Sequence, residues 1–209
     1  MNCTAPCFWG ITPGKTTLRE AQTILKGLSV NLEPTMPDYY SAGFSSEKNL
    51  GGEVIIHQQN GMVQNIRVNI GGLDSKDAKF NSQDWAAFSV HRIITLYGVP
   101  SQIRFQFNYP HEESSGTSII IDYILFYEKI NLIVLYSTNY ISEQENKYSF
   151  CPNHNDIRFI WIFYGKNPNA PDYGTGQRIS DIVEITEQQF TQLVLRDNKC
   201  LNISKQAIK

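Results

Sequence analysis

Four cysteines, four histidines and one glycine-containing turn are the residues of this chain whose types and spacing could do chemistry. Cys3 and Cys7 enclose a proline, Cys151 precedes Pro152, and Cys200 follows the polar run Asp-Asn-Lys. None lies in a strongly apolar stretch, where a reduced thiol would simply be a small core residue. An even count of loop-edge cysteines reads as two disulfides formed in an oxidising compartment. Three pairings are open to four half-cystines and the sequence does not resolve them; Cys151 with Cys200 is the pair we expect. Four reduced thiols are the alternative, because 209 residues can fold without cross-links. A zinc site is another. Cys151-Pro-Asn-His154 has the spacing of half a tetrahedral site that Cys3 and Cys7 could complete. Structural zinc, however, serves domains too small for a core, so no metal ligand is assigned.

The remaining motifs give no reaction. His57, His91, His111 and His154 are spread along the chain with no H-x-x-x-H or H-E-x-x-H pairing. Gly10-Ile-Thr-Pro-Gly14-Lys15-Thr16 resembles a phosphate-binding loop but is one residue short, and Pro13 deletes one of the N–H donors such a loop needs. A turn feeding a helix explains the same residues. No Gly-x-Ser-x-Gly nucleophile elbow is present. We therefore name no catalytic residue and no cofactor. The enzymatic or small-ligand alternative would place a site among the loops near His111, His154 and Tyr173.

Composition narrows the partners. A net charge of −2, from 18 basic and 20 acidic residues in no long run, gives no electrostatic footprint for nucleic acid. Asn, Gln, Ser and Thr supply much of the polarity, which suits an exported protein. No run approaches the roughly 20 apolar residues of a membrane helix. No secretion signal is visible either, so an extracytoplasmic setting implies that a signal or anchor was lost ahead of Met1.

Periodicity predicts the elements. Thr17-Leu-Arg-Glu20 is a capping box, and Leu18, Ala21, Ile24, Leu25 and Leu28 recur at helical spacing, predicting a helix over about 17–28. A polar, proline-containing loop follows. Residues 53–57 and 66–70 alternate around the turn dipeptide Asn60-Gly61, the signature of a β-hairpin. A second helix is expected from a Ser82 cap, with a stripe of Trp85, Val90, Ile93, Ile94 and Tyr97 and a stop at Gly98 and Pro100. Strands are predicted at 103–107, 119–127, 132–136 and 157–164, the middle two central in a sheet because they are apolar on both faces. The stretch 165–177 reads as a long loop before a last helix at 186–197, and the tail after Cys200 reads as frayed.

These elements imply one α+β domain over 1–209, with helices packed on one face of an antiparallel sheet. The order helix then meander occurs twice, which suggests pseudo-repeats at 8–72 and 80–165. If helices cover the face bearing Ile66, Val68, Ile103, Phe105, Phe159 and Trp161, the other face carries arginine, amide and tyrosine side chains, a mixture favoured at protein interfaces. Arg67, Arg104, Arg158 and Tyr164 are the expected anchors for a protein partner.

From Cys3 to Thr16 the chain resembles a group of bacterial envelope and lipoprotein-type proteins without assigned activity, which share a Cys-x-x-Pro-Cys-aromatic start followed by Gly-Ile-x-Pro-Gly-x-Thr. Cys200 resembles a late cysteine of that group. More loosely, the Gly-x-Thr helix start and the helix ending at Gly98-Val-Pro100 are similar to repeats of β-lactamase-inhibitor-like proteins and small outer-membrane assembly lipoproteins. The resemblance implies a binding module outside the cytoplasm and carries over no functional residue. In this chain Phe8 follows Cys7, and Trp9 is displaced by one position.

Overall fold

The structure, a computed structural model, describes residues 8–45, 50–72, 88–109, 118–138, 141–152, 157–165, 176–197 and 199–208. Strand dominates it. In chain order the elements are α1 (Leu18–Gly27), β1 (Glu33–Met36), β2 (Tyr39–Ser45), β3 (Leu50–Gln59), β4 (Met62–Gly72), α2 (Val90–Tyr97), β5 (Gln102–Asn108), β6 (Ser118–Tyr127), β7 (Leu132–Thr138), β8 (Ile141–Gln144), β9 (Lys147–Phe150), β10 (Ile157–Gly165), β11 (Gln177–Arg178), α3 (Ile179–Val183), α4 (Glu187–Gln192) and β12 (Leu201–Ser204). Twelve strands are hydrogen-bonded in the order β1-β2-β3-β4-β10-β7-β6-β8-β9-β12, with β5 pairing β6 and β11 pairing β5.

This overturns the expected α+β layering, in which helices cover one face of a sheet. The described helices run to ten, eight, five and six residues, at most about three turns each. A mostly antiparallel sheet of twelve strands is the architecture, with short helices beside it.

Three local causes explain the correction. The segment read as a polar loop contains β1 and β2, turned at Pro37-Asp38 with Asp38 at φ 65° and Met36 paired to Tyr39; proline presets the first turn position and aspartate tolerates the left-handed second one. A polar run further on forms β8 and β9 around Glu145 and Asn146, both at positive φ (50° and 62°), as a tight hairpin turn demands. Ahead of the expected last helix the chain forms α3, which ends where Glu184 turns left-handed (φ 55°); the expected helix follows as α4, opened by the Thr186–Gln189 capping box, and a π-type turn over Leu193–Asp197. The supposedly frayed tail is β12, paired with β9. Ser82 and Trp85 lie outside the described residues; within them, α2 is capped by Ser89, whose Oγ accepts from Arg92 N–H at 3.2 Å.

Contacts divide the chain into two compact units that are not consecutive halves of it. The first draws on Met1–Ala78, Tyr127–Val134 and Ile160–Pro171, and the second on Lys79–Phe126, Leu135–Phe159 and Asp172–Lys209.

In the first unit α1 begins as its capping box requires. Thr17 Oγ1 accepts from Glu20 N–H (3.2 Å) while Glu20 Oε2 accepts from Thr17 N–H (2.8 Å). The β3–β4 hairpin turns at Asn60-Gly61, with φ of 53° and 77°. Its register pairs Val54 with Val68 and Ile56 with Ile66, all four fully buried. A bulge beside His57 sets two residues of β4 against one of β3 and returns Val63 to the inner face, where it too is fully buried.

The second unit is built on aromatic rings. Tyr123 lies 4.9 Å from the rings of both Tyr136 and Phe150, and Phe105 lies 5.5 Å from Phe150. The two buried phenols are satisfied: Tyr136 donates to Phe88 O (2.9 Å) and Tyr123 to Pro152 O (3.3 Å). β9 and β12 pair Phe150 with Leu201, so the next facing positions are Cys151 and Cys200. They form a disulfide, with Cα atoms 4.1 Å apart.

Candidate functional site

The outer face of β2, β3 and β4 carries a half-buried polar surface, fixed by simple alternation along each strand. Register places Ser41, Ile55 and Arg67 in one cross-strand row, Tyr39, His57 and Asn65 in the next, and Gly43, Glu53 and Asn69 on the other side. A cleft of about 440 Å³ opens here. Arg67, Asn65 and Glu53 provide its polar groups with Ser41; Tyr39, Ile55, Met36 and Thr35 complete the walls.

The cleft is tied at one end and open at the other. Asn65, only 8% exposed, places Nδ2 3.1 Å from His57 Nδ1, an arrangement that needs the histidine proton on Nε2. The Tyr39 ring covers His57 at 4.7 Å between centroids. These three side chains hold one another. Arg67 Nε and Asn69 Oδ1, by contrast, are buried and make no hydrogen bond. An unpaired buried donor costs roughly 1–3 kcal/mol, so such groups call for an explanation. Glu53 does not supply it. Its Oε2 accepts from Asn69 Nδ2 at 3.4 Å, and among the described residues it forms no ion pair with Arg67.

The four expected anchors separate. Arg67 lines this cleft. Tyr164, in the same unit, is only 4% exposed, its ring 6.1 Å from that of Phe8, so it offers no surface. Arg104 and Arg158 belong to the second unit. Arg104 is half-buried, faces Arg178 across the β5–β11 pair and lies 6.0 Å from the Phe126 ring. Arg158 is exposed. The face expected to be covered by helices leaves Phe159 and Trp161 half-buried, whereas Ile160 and Ile162 are buried.

On the polar face of the second unit the Asp122 carboxylate is closed in by its neighbours. Asp122 accepts from Ser137 Oγ and from Asn108 Nδ2, the latter at 2.9 Å. Burial raises its carboxyl above the ordinary range, partly offset by those two bonds and by the Arg158 charge.

The other sequence motifs find structural roles or fall outside view. Gly14 N–H donates to Val63 O (2.7 Å) and Thr16 N–H to Thr12 O (2.9 Å), so the loop that resembles a phosphate cradle spends its amides on the fold. Cys151 Sγ is bonded to Cys200 and is no thiolate ligand. Cys3, Cys7, His111, His154 and Tyr173 lie outside the described residues. Among the described residues no cluster of three metal-binding side chains occurs, and no helix is long and apolar enough to cross a membrane.

Sequence reasoning found Arg67 and Asn65 but missed the cleft itself. Two of its walls, Met36 and Tyr39, come from β1 and β2, and the signal that could have found them is Pro37-Asp38 followed by two tyrosines. Compared with known families, curated proteins and solved structures, the chain matches none.

Proposed function

We propose that this chain is a non-catalytic binding protein working outside the cytoplasm, whose recognition surface is the outer face of β2, β3 and β4 and whose target is a protein partner. The observation that carries the reading is that Arg67 lines an open cleft and, among the described residues, forms no ion pair. Arginine is a favoured interface anchor because its planar fork binds a carboxylate through two parallel hydrogen bonds. Tyr39 and Ile55 add contact area that needs no rearrangement. A binding role is favoured over catalysis because His57 Nδ1 on this face is engaged by Asn65 Nδ2 at 3.1 Å and is not set against a nucleophile. The extracytoplasmic setting is supported by the Cys151–Cys200 disulfide. Of the other two arginines expected as anchors, Arg158 is exposed and Arg104 half-buried.

The test is capture from a cell-envelope extract by immobilised wild-type and Arg67→Ala chains, with melting curves of both. A partner retained by the wild type and lost from the variant, at unchanged melting temperature, supports the reading. Equal capture by the two overturns it.

A further inference from the structure

The cleft holds two opposite charges that leave each other alone. Glu53 faces Asn69 and Arg67 faces Ile55 across the β3–β4 ladder, which makes the carboxylate and the guanidinium diagonal neighbours on one face. Diagonal positions lie about 7–8 Å apart at the backbone, within reach of both long side chains. Yet Arg67 Nε stays buried and unpaired, and Glu53 settles for a 3.4 Å bond from an amide. Both residues line the open cleft and, among the described residues, form no ion pair with each other, so the two charges bracket a space in which a third body can offer each of them its complement.

We infer that this cleft binds a free α-amino acid with an apolar side chain, its carboxylate taken by Arg67 and its ammonium by Glu53. The two charged groups of such a ligand sit on one carbon, which suits a pair of receptor charges on adjacent rows. Ile55, Tyr39 and the thioether of Met36 form the apolar wall for the side chain. The volume, about 440 Å³, falls within the roughly 300–1,000 Å³ of small-molecule sites. The inference rests on the reading that this face is the recognition surface, and it names what enters the cleft.

Calorimetric titration of the intact chain with L-leucine, L-methionine and L-phenylalanine tests it, with leucinamide and 4-methylpentanoate as probes lacking the carboxylate or the ammonium. At least one amino acid should bind saturably. Each truncated analogue should bind about tenfold more weakly or worse, the worth of one charge-assisted hydrogen bond. Arg67→Ala and Glu53→Gln should each reproduce that loss. No heat from any amino acid up to about 10 mM overturns the inference. So does 4-methylpentanoate binding as tightly as leucine, which would make this a plain anion site. The analogue comparison uses the wild-type chain, so it decides the matter even if a variant fails to fold. Absent amino-acid binding alongside Arg67-dependent partner capture overturns this inference alone; amino-acid binding without such capture overturns only the protein-partner reading.

Discussion

The outer face of β2–β4 in the first unit and the polar row of β5–β6 in the second are made by the same alternation of side chains, yet they end differently. In the second unit Asp122 is supplied by Ser137 and Asn108, and beneath it rings of Phe105, Tyr123, Tyr136 and Phe150 pack beside a disulfide. In the first, Arg67 Nε and Asn69 Oδ1 are buried with nothing to bond. A carboxylate closed in by its neighbours stabilises the fold, whereas an arginine lining an open cleft is a place for something else to complete.

Four experiments break or sharpen that contrast. Replacing both Cys151 and Cys200 by alanine opens a link between positions separated by 49 residues, and should cost about 4 kcal/mol on the chain-entropy estimate; urea unfolding of the reduced and oxidised protein measures it. A loss below about 1 kcal/mol would mean the second unit does not depend on its cross-link.

Gly165→Ala, in the first unit, comes next. Gly165 sits at φ 91°, donates its N–H to Asn131 O (2.9 Å), and an added Cβ would meet Gln64 O and lie 2.8 Å from Pro13 Cβ. Strain and overlap together should cost about 1–3 kcal/mol by the same assay.

The third effect is a pH slope. The Asp122 carboxyl titrates higher in the folded chain than in the unfolded one, so between the two values the folded state holds more protons. Stability from this group is full below the unfolded value, near 3.8, and falls as pH rises through the folded one. Asp122→Asn should flatten that part of the stability–pH curve; an unchanged slope would show that another group is responsible.

Least damaging to stability is Arg67→Ala, expected to be neutral or stabilising in chemical denaturation, because it removes a buried donor whose lost hydration the fold does not repay. A large loss would move the β2–β4 face into the same class as the second unit.

Local signals were legible. The Thr17 capping box and the Asn60-Gly61 hairpin stand where residue type and spacing put them, and the Cys151–Cys200 disulfide is the pair favoured among three that the sequence left open. Each depends on chemistry within a few residues or, for the disulfide, on a short choice among cysteines. The layering was not legible, because β1, β2, β8, β9 and β12 are strands too short or too polar for apolar alternation to mark them; β1–β2 and β8–β9 pair across tight turns, and β12 pairs with the distant β9. Tyr164 shows the same limit: alternation put it on the side of Arg158, but tertiary packing, with Phe8 among its neighbours, buries it.

Alternating residues in β3 and β4 already dictated that Arg67 and Asn65 share a side opposite Ile66 and Val68, because a strand sends successive side chains to opposite faces. Whether that side would be filled, closed or left as a cleft depended on which strands arrived beside it. The arrival of β1 and β2, and the absence among the described residues of an ion pair between Glu53 and Arg67, were settled by pairing between strands, which the alternation within any one strand does not encode.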